Sequence, residues 1–325
     1  MHPAFSVIFL TTLIGTGQGL YLALYTGQLY AAVKVLPAQN SATFYALGSL
    51  LALGFLGAGL LSSFFHLGHP ERAWRSTACW RTSWLSREVI ALPAFMVVTA
   101  LYGVIHYSGV NPVLFSYRDT FDIDLSLLIG ALNTALAFTL FLCTAMIYAG
   151  IKFLQEWATP LTVINYTLLG SASGFTFATL FAAHQGSELT ELYAGWAIIL
   201  TLASLITRIA SLMRNARIKH KSSLRTAIGI RHARIVQQSQ GFMTGSFNTR
   251  EYFHGASPLV LQLIKWTFLV LVFPLPVMLL SLGLADGAIG FFLLAFGAQY
   301  AGLLLERWFF FAQSNHPQNL YYQAA

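Results

Sequence analysis

Charge is scarce in this chain. Of 325 residues only 9% are Asp, Glu, Lys or Arg, while 56% are hydrophobic, against about 25% charged in soluble domains. So few polar groups cannot cover a surface in water, and the bilayer is the expected solvent. Cysteine is nearly absent too. Cys79 in a polar stretch and Cys143 in an apolar one are the 2 present. They can build neither a disulfide framework nor a Cys-ligated cluster, so any redox metal belongs to a partner. The first apolar run lacks a basic lead-in, and no small-residue cleavage pattern follows Tyr30, so it reads as a retained helix rather than a secretory signal. Aromatic residues are plentiful at 14%, with 7 Trp and 14 Tyr to supply belts at headgroup level.

A span of the ~30 Å hydrocarbon layer takes about 20 apolar residues at a rise of 1.5 Å each. Eight stretches read as uncharged and long enough: 5–30, 43–66, 88–107, 125–148, 161–184, 192–213, 259–282 and 287–311. Helix is required, because backbone groups facing lipid must be satisfied within their own segment. Pro93, Pro274 and Pro276 fall inside spans, where a kink is tolerated if neighbours satisfy the freed carbonyls. With the spans alternating in direction, Lys34 and Arg118 lie on one face, and the remaining 16 of the 18 Lys and Arg lie on the other. That asymmetry places the basic face in the cytoplasm. The expectation is an all-α polytopic membrane protein, one membrane domain over 1–325, with eight transmembrane helices. Both termini and the loops 67–87 and 214–258 are cytoplasmic, and Asp119, Asp122, Asp124, Glu188 and Glu191 face outward.

The 214–258 loop carries Arg214, Arg217, Lys219, Lys221, Arg225, Arg231, Arg234 and Arg250 against Glu251 alone, a local charge of +7 equal to that of the whole chain. Such a loop suits anionic lipid headgroups. It also suits a cytoplasmic protein partner, because Arg is favoured at interfaces and Phe242, Met243, Phe247, Tyr252 and Phe253 accompany it. Arg231, Arg234, Phe247, Arg250 and Tyr252 are the candidate docking residues. No nucleic-acid module accompanies the charge, so nucleic acid is not an expected partner.

The 67–87 loop and its flanks are dense in ionisable and aromatic groups. Ser62 and His66, four apart, share one helix face; Ser83 or Ser86 can cap the next helix, with Arg87 and Glu88 in its first turns. Reducing a quinone takes electrons, two protons, and donors that stabilise charge on the carbonyl oxygens. Histidine exchanges protons near neutral pH, an adjacent Arg supplies fixed positive charge, and a boundary carboxyl relays protons. His66 and Glu88 are therefore the candidate proton-exchanging groups, with Ser62, His66, Arg72, Trp84 and Arg87 as candidate quinone-binding residues. Blander roles compete: a helix-end histidine bonded to a carbonyl, topogenic arginines at 72, 75 and 81, and Trp74, Trp80 and Trp84 as interfacial anchors.

Gly15 and Gly19 have the spacing that lets helices approach closely, and Gln18 between them needs a buried partner. A haem would need two histidines at matching depth, and only His106 and His184 qualify. A secondary transporter is the competing class, since Pro274 and Pro276 can break a helix, but no acidic residue lies at mid-span.

The strings His66-Leu-Gly-His-Pro-Glu-Arg72-Ala, Ser83-Trp-Leu-Ser-Arg87-Glu88, Asn248-Thr-Arg-Glu-Tyr-Phe-His254-Gly and Glu306-Arg307-Trp-Phe-Phe-Phe-Ala, with the opening Met-His-Pro-Ala-Phe-Ser, resemble the dimethyl sulfoxide reductase membrane-anchor subunit family from one end of the chain to the other. The resemblance implies two four-helix bundles without haem or metal, serving an iron–sulfur subunit and a molybdopterin catalytic subunit. It implies electron exchange with ubiquinone or menaquinone, a quinol-handling role for His66, and contact between the 214–258 loop and the iron–sulfur subunit. The best-known members serve periplasmic reductases, whereas the basic face here puts the motif-bearing loops in the cytoplasm. That is more similar to the branch serving cytoplasmic sulfite dehydrogenases, in which electrons run from sulfite to quinone. A quinol-oxidising reductase anchor is the alternative.

Overall fold

A computed structural model of the protein describes residues 1–117, 121–219, 222–236 and 251–321. Six long helices come first: α1 (Phe5–Ala32), α2 (Leu47–Phe64, entered by a π-helical turn Ser41–Ala46), α3 (Trp84–Ser108), α4 (Leu125–Ala149), α5 (Pro160–His184) and α6 (Leu189–Ala216). A five-residue helix α7 (Leu224–Ile228), then α8 (Pro258–Val272), α9 (Pro274–Asp286) and α10 (Ile289–Ala312) follow. Among the described residues seven helical segments are long and apolar enough to cross a membrane: α1, Ser41–Phe64, α3, α4, α6, Pro258–Asp286 and α10. The remaining expected stretch, 161–184, is the 25-residue helix α5, which has no charged residue but carries Thr162, Asn165, Ser171, Ser173, Thr176 and Thr179, all buried. Its place explains the polarity. Helices α1, α4, α6 and α10 all pack on α5, so protein rather than lipid surrounds it.

The stretches are not all free of charge, as the sequence reading had them. Arg208 on α6, Lys265 on α8, and Glu306 and Arg307 on α10 lie inside them. The all-helical expectation also meets one exception, an antiparallel hairpin of Val113–Tyr117 with Phe121–Asp124 between α3 and α4. Asp124 then caps α4, accepting from the Leu127 amide at 2.8 Å.

The helices fall into two groups, α1–α4 and α5, α6, α8–α9, α10, which meet chiefly along α1 and α5. Glycine makes the meeting possible. Gly15 and Gly19 of α1 face Gly170 and Gly174 of α5, and a Cβ on Gly19 or Gly174 would run into the opposite backbone. Both helices thus carry the small-xxx-small spacing, and the close-packing role of Gly15 and Gly19 is what the fold uses. Gln18, between them, donates to the Ala137 carbonyl of α4 at 2.8 Å.

Pro274 and Pro276 do break their span: the helix stops at Phe273 and resumes as α9. A proline at 276 removes the donor that the Val272 carbonyl would have met one turn on. The Gln299 amide of α10 turns to that carbonyl at 3.4 Å while also bonding Thr201 at 3.0 Å.

The two ends of the bundle differ. At one, here called the clasp end, the terminal amine of Met1 donates to the Ser314 carbonyl at 3.0 Å and the His2 amide to the Glu251 carbonyl at 2.9 Å. The hairpin marks the other end.

Candidate functional site

The 67–87 loop lies at the clasp end and is ordered rather than irregular. Residues Pro70–Cys79 form 3-10 turns, and the Ser83 hydroxyl caps α3 by accepting from the Ser86 amide at 3.3 Å. The cap starts the helix so that Trp84 and Arg87 lie one turn apart, and the Arg87 guanidinium sits over the Trp84 ring at 4.2 Å. Arg87 also donates to the carbonyls of Trp80 and Arg81 at 2.9 and 2.7 Å. It therefore pins the loop to α3, and its remaining N–H groups have no hydrogen-bond partner among the described residues.

Glu88, the next residue, points the other way. It is buried and accepts from the Thr144 hydroxyl of α4 at 2.5 Å. Ser62 is half-buried and donates to the Ala58 carbonyl of its own helix at 2.9 Å. His66 and Arg72 are exposed; partial burial still holds the His66 imidazole below its usual range. Arg72 stands 3.6 Å from Glu71, which also meets His69 at 3.0 Å. Among the described residues, no hydrogen bond or ion pair joins Ser62, His66 or Arg72 to Arg87 or Glu88. Trp84, Arg87 and Glu88 form one unit, and Ser62, His66 and Arg72 share only its end of the bundle.

Between α6 and α10 lies a cluster to which the sequence reading gave no role. Arg208 meets Glu306 at 2.8 Å and Arg307 meets it at 3.1 Å, with side-chain exposures of 1%, 2% and 5%. Arg307 also rests on the Tyr166 ring at 3.7 Å. Tyr166 stacks on Tyr148, ring centroids 5.6 Å apart, beside Trp157, Phe310 and Phe311. A small cavity of about 20 Å³, lined by Gln18, Thr144, Tyr166, Ser173 and Arg307 among others, sits where the two helix groups meet and has room for about one water. The signal was available as Arg208, Glu306 and Arg307 inside apolar stretches. What the sequence could not give was which of them face one another.

The candidate docking residues are divided. Arg231 and Arg234 are exposed, and Phe247 and Arg250 lie outside the described residues. Tyr252 stacks on His316 at 3.8 Å, and its carbonyl accepts from Asn319 at 3.0 Å. Three strings far apart in the chain, Met1-His2, Glu251–His254 and Ser314–Asn319, thereby meet at the clasp. Burial lowers the terminal amine to about 6 and holds His254 and His316 below their usual range. A cleft of about 220 Å³ opens beside it, lined by Lys152, Phe153, His316 and Leu320 among others.

His106 is buried against Tyr45 and Tyr102 and its Nδ1 lies 2.7 Å from the Ser41 hydroxyl, whereas His184 is exposed at the end of α5. Among the described residues no three His, Cys, Asp or Glu gather as a metal site.

Comparison with known proteins shows what the chain is similar to. The family model described as DMSO reductase anchor subunit (DmsC) matches residues 1–311. A sulfite dehydrogenase subunit of Allochromatium vinosum is 58% identical over 324 residues, covering 100% of this chain and 99% of that protein.

Proposed function

The chain belongs to the DMSO reductase anchor subunit family, and we propose that it is the quinone-reactive membrane anchor of a sulfite-oxidising complex. The observation that carries the reading is the 58% identity, over the full length of both chains, to a protein named as a sulfite dehydrogenase subunit. An iron–sulfur subunit and a molybdopterin catalytic subunit dock at the clasp end, on the cytoplasmic side, over Arg231, Arg234, Phe247, Arg250 and Tyr252. All eight long helices cross the inner membrane of a bacterium, α5 among them, because its polar residues face protein.

Sulfite oxidation in the catalytic subunit releases two electrons, and quinone takes up two electrons and two protons to become quinol. This chain's part is to hold the headgroup and manage the protons. Arg87, fixed by its two carbonyl bonds and by Trp84, offers N–H donors and positive charge to a quinone oxygen that is gaining charge. Glu88, buried on Thr144, and His66, at the loop, exchange the protons. Ubiquinone and menaquinone both present the oxygens that this requires. The chain holds no haem and no metal of its own.

The test is sulfite-dependent reduction of a water-soluble quinone by the purified complex. Quinone reduction with no dependence on sulfite overturns the substrate. A b-type Soret band assignable to this subunit overturns the haem-free reading. The family's own description supports a second reading, quinol oxidation for a reductase, which predicts oxidant-dependent quinol consumption in the same assay.

A further inference from the structure

Arg208, Arg307 and Glu306 bring two guanidinium groups and one carboxylate into the protein interior. A buried cation without a counter-charge is strongly unfavourable at membrane depth, so the surplus positive charge needs a carboxylate. Among the described residues three are buried: Glu306, Glu156 and Glu88. Glu306 is already in the cluster. Glu156 lies at the clasp, where it acts on the terminal amine and accepts from the Asn315 amide at 3.3 Å. Glu88 remains. It belongs to the first helix group and the cluster to the second, and the small cavity is lined by both Thr144, which bonds Glu88, and Arg307. Arg307 rests on the Tyr166 ring at 3.7 Å, and Tyr166 stacks on Tyr148, which lies on α4 one turn after Thr144.

We propose that Arg307 is the counter-cation of Glu88 across the seam between the two helix groups, a positioning residue that holds the Glu88 charge for proton exchange with quinone. The pairing makes the interior neutral, two cations against two carboxylates. It also ties the reactive end of α3 to α10, so the proton-exchanging carboxyl works only when both helix groups are in place. The chemical part rests on the quinone reading given above.

The experiment uses the whole complex carrying Glu88→Gln, Arg307→Gln, Arg307→Lys or the Glu88→Gln/Arg307→Gln pair. For each, sulfite-dependent quinone reduction is divided by artificial-dye reduction, which bypasses this subunit. Glu88→Gln should lower the ratio by about 10²-fold, as expected for a lost proton-exchanging group. Arg307→Gln should lower it roughly tenfold, the effect of about one pK unit of lost charge interaction. Arg307→Lys should recover most of that loss, and the pair should be no worse than Glu88→Gln alone. An unchanged ratio in Arg307→Gln, a lysine no better than glutamine, or losses that multiply in the pair overturns the proposal. If Arg307→Gln fails to accumulate, the pair should accumulate better, since it removes one charge of each sign; no recovery again overturns the pairing. A normal ratio in Glu88→Gln would instead sink the quinone role of Glu88, while the accumulation comparison still decides whether the two charges are partners.

Discussion

Single residues differ here in direction as much as in identity. Arg87 and Glu88 are adjacent, yet one pins a loop from outside and the other is sealed against Thr144. Their place at a boundary was legible from a capping serine followed by Trp, Arg and Glu in the first turns, but their opposite directions were not, since they depend on α4 packing beside α3. The Arg208–Glu306–Arg307 cluster was not, because the long apolar stretch around each charge hides it and a sequence does not say which helices touch. His66→Leu and Arg87→Ala should each lower quinone-linked turnover by about 10²-fold while dye-linked activity and assembly stay intact; equal loss of both activities would assign these residues to docking or folding. His66 adds a dependence on pH. Partial burial disfavours its charged form, so its transition lies below the ordinary value of about 6.5. As a donor of protons to quinone it is active when protonated. The rate should therefore rise as pH falls through that transition, and the rise should be missing in His66→Leu.

At the scale of elements, the fold depends on places where helices are small or broken. Four glycines let α1 and α5 meet backbone to backbone, and only half of that seam was anticipated, since Gly15 and Gly19 were read without their partners Gly170 and Gly174. Gly174→Leu should prevent the complex from accumulating, because overpacking of about 1–3 kcal/mol falls on rigid backbone. Gly195→Ala on α6 should instead be neutral or stabilising by up to about 1 kcal/mol, since nothing lies within 4 Å of its added methyl. Expression and thermal-shift measurements on the two variants settle this; similar stability for both would mean that the seam yields. The break at Phe273 was readable from two prolines. Its repair by Gln299 was not, because that residue comes from another helix. The clasp makes a further prediction. Its amine is lowered to about 6, and His254 and His316 are lowered too, all mainly by burial. Each group takes up a proton more readily once released, so the clasp is tightest above the ordinary amine value of about 8 and loosens as pH falls; the amine's share is complete near 6, and the two histidines add theirs below about 6.5. Hydrogen exchange at the His2 and Asn319 amides, corrected for intrinsic rate, should speed up over that interval. Flat corrected rates would rule the loosening out.

For the whole molecule the distribution of charge bears on which end faces the cytoplasm. Arg208, Lys265 and Arg307 lie inside the spans, and of the other 15 basic residues all but Lys34 and Arg118 fall on one face when the spans alternate; such asymmetry favours an orientation with that face inward. The clasp, the Trp84–Arg87–Glu88 unit and the exposed Arg231 and Arg234 lie together at that end, while Lys34, Asp122 and Asp124 belong to the other. An iron–sulfur cluster must approach the quinone to deliver electrons, so the proposed site at Glu88 calls for the partner that carries it to dock at the same end. That reading makes the catalytic subunit cytoplasmic as well, which suits the proposed sulfite oxidation better than reduction of a periplasmic sulfoxide. On the proposed reading, protons reach His66 and Glu88 from the cytoplasm, and electrons arrive from that side also. With neither crossing the bilayer, turnover should be nearly electroneutral, and vesicles carrying the complex should develop no membrane potential on adding sulfite and quinone. A reporter fused after Ala325 tests the side directly: a fluorescent protein that matures in the cytoplasm should be bright there, and a phosphatase that folds only in the periplasm should be inactive. An active phosphatase at that position would invert the bundle, moving the docking surface and the proton supply to the periplasm together, and the sulfite assignment would then have to be tested with the substrate supplied from outside.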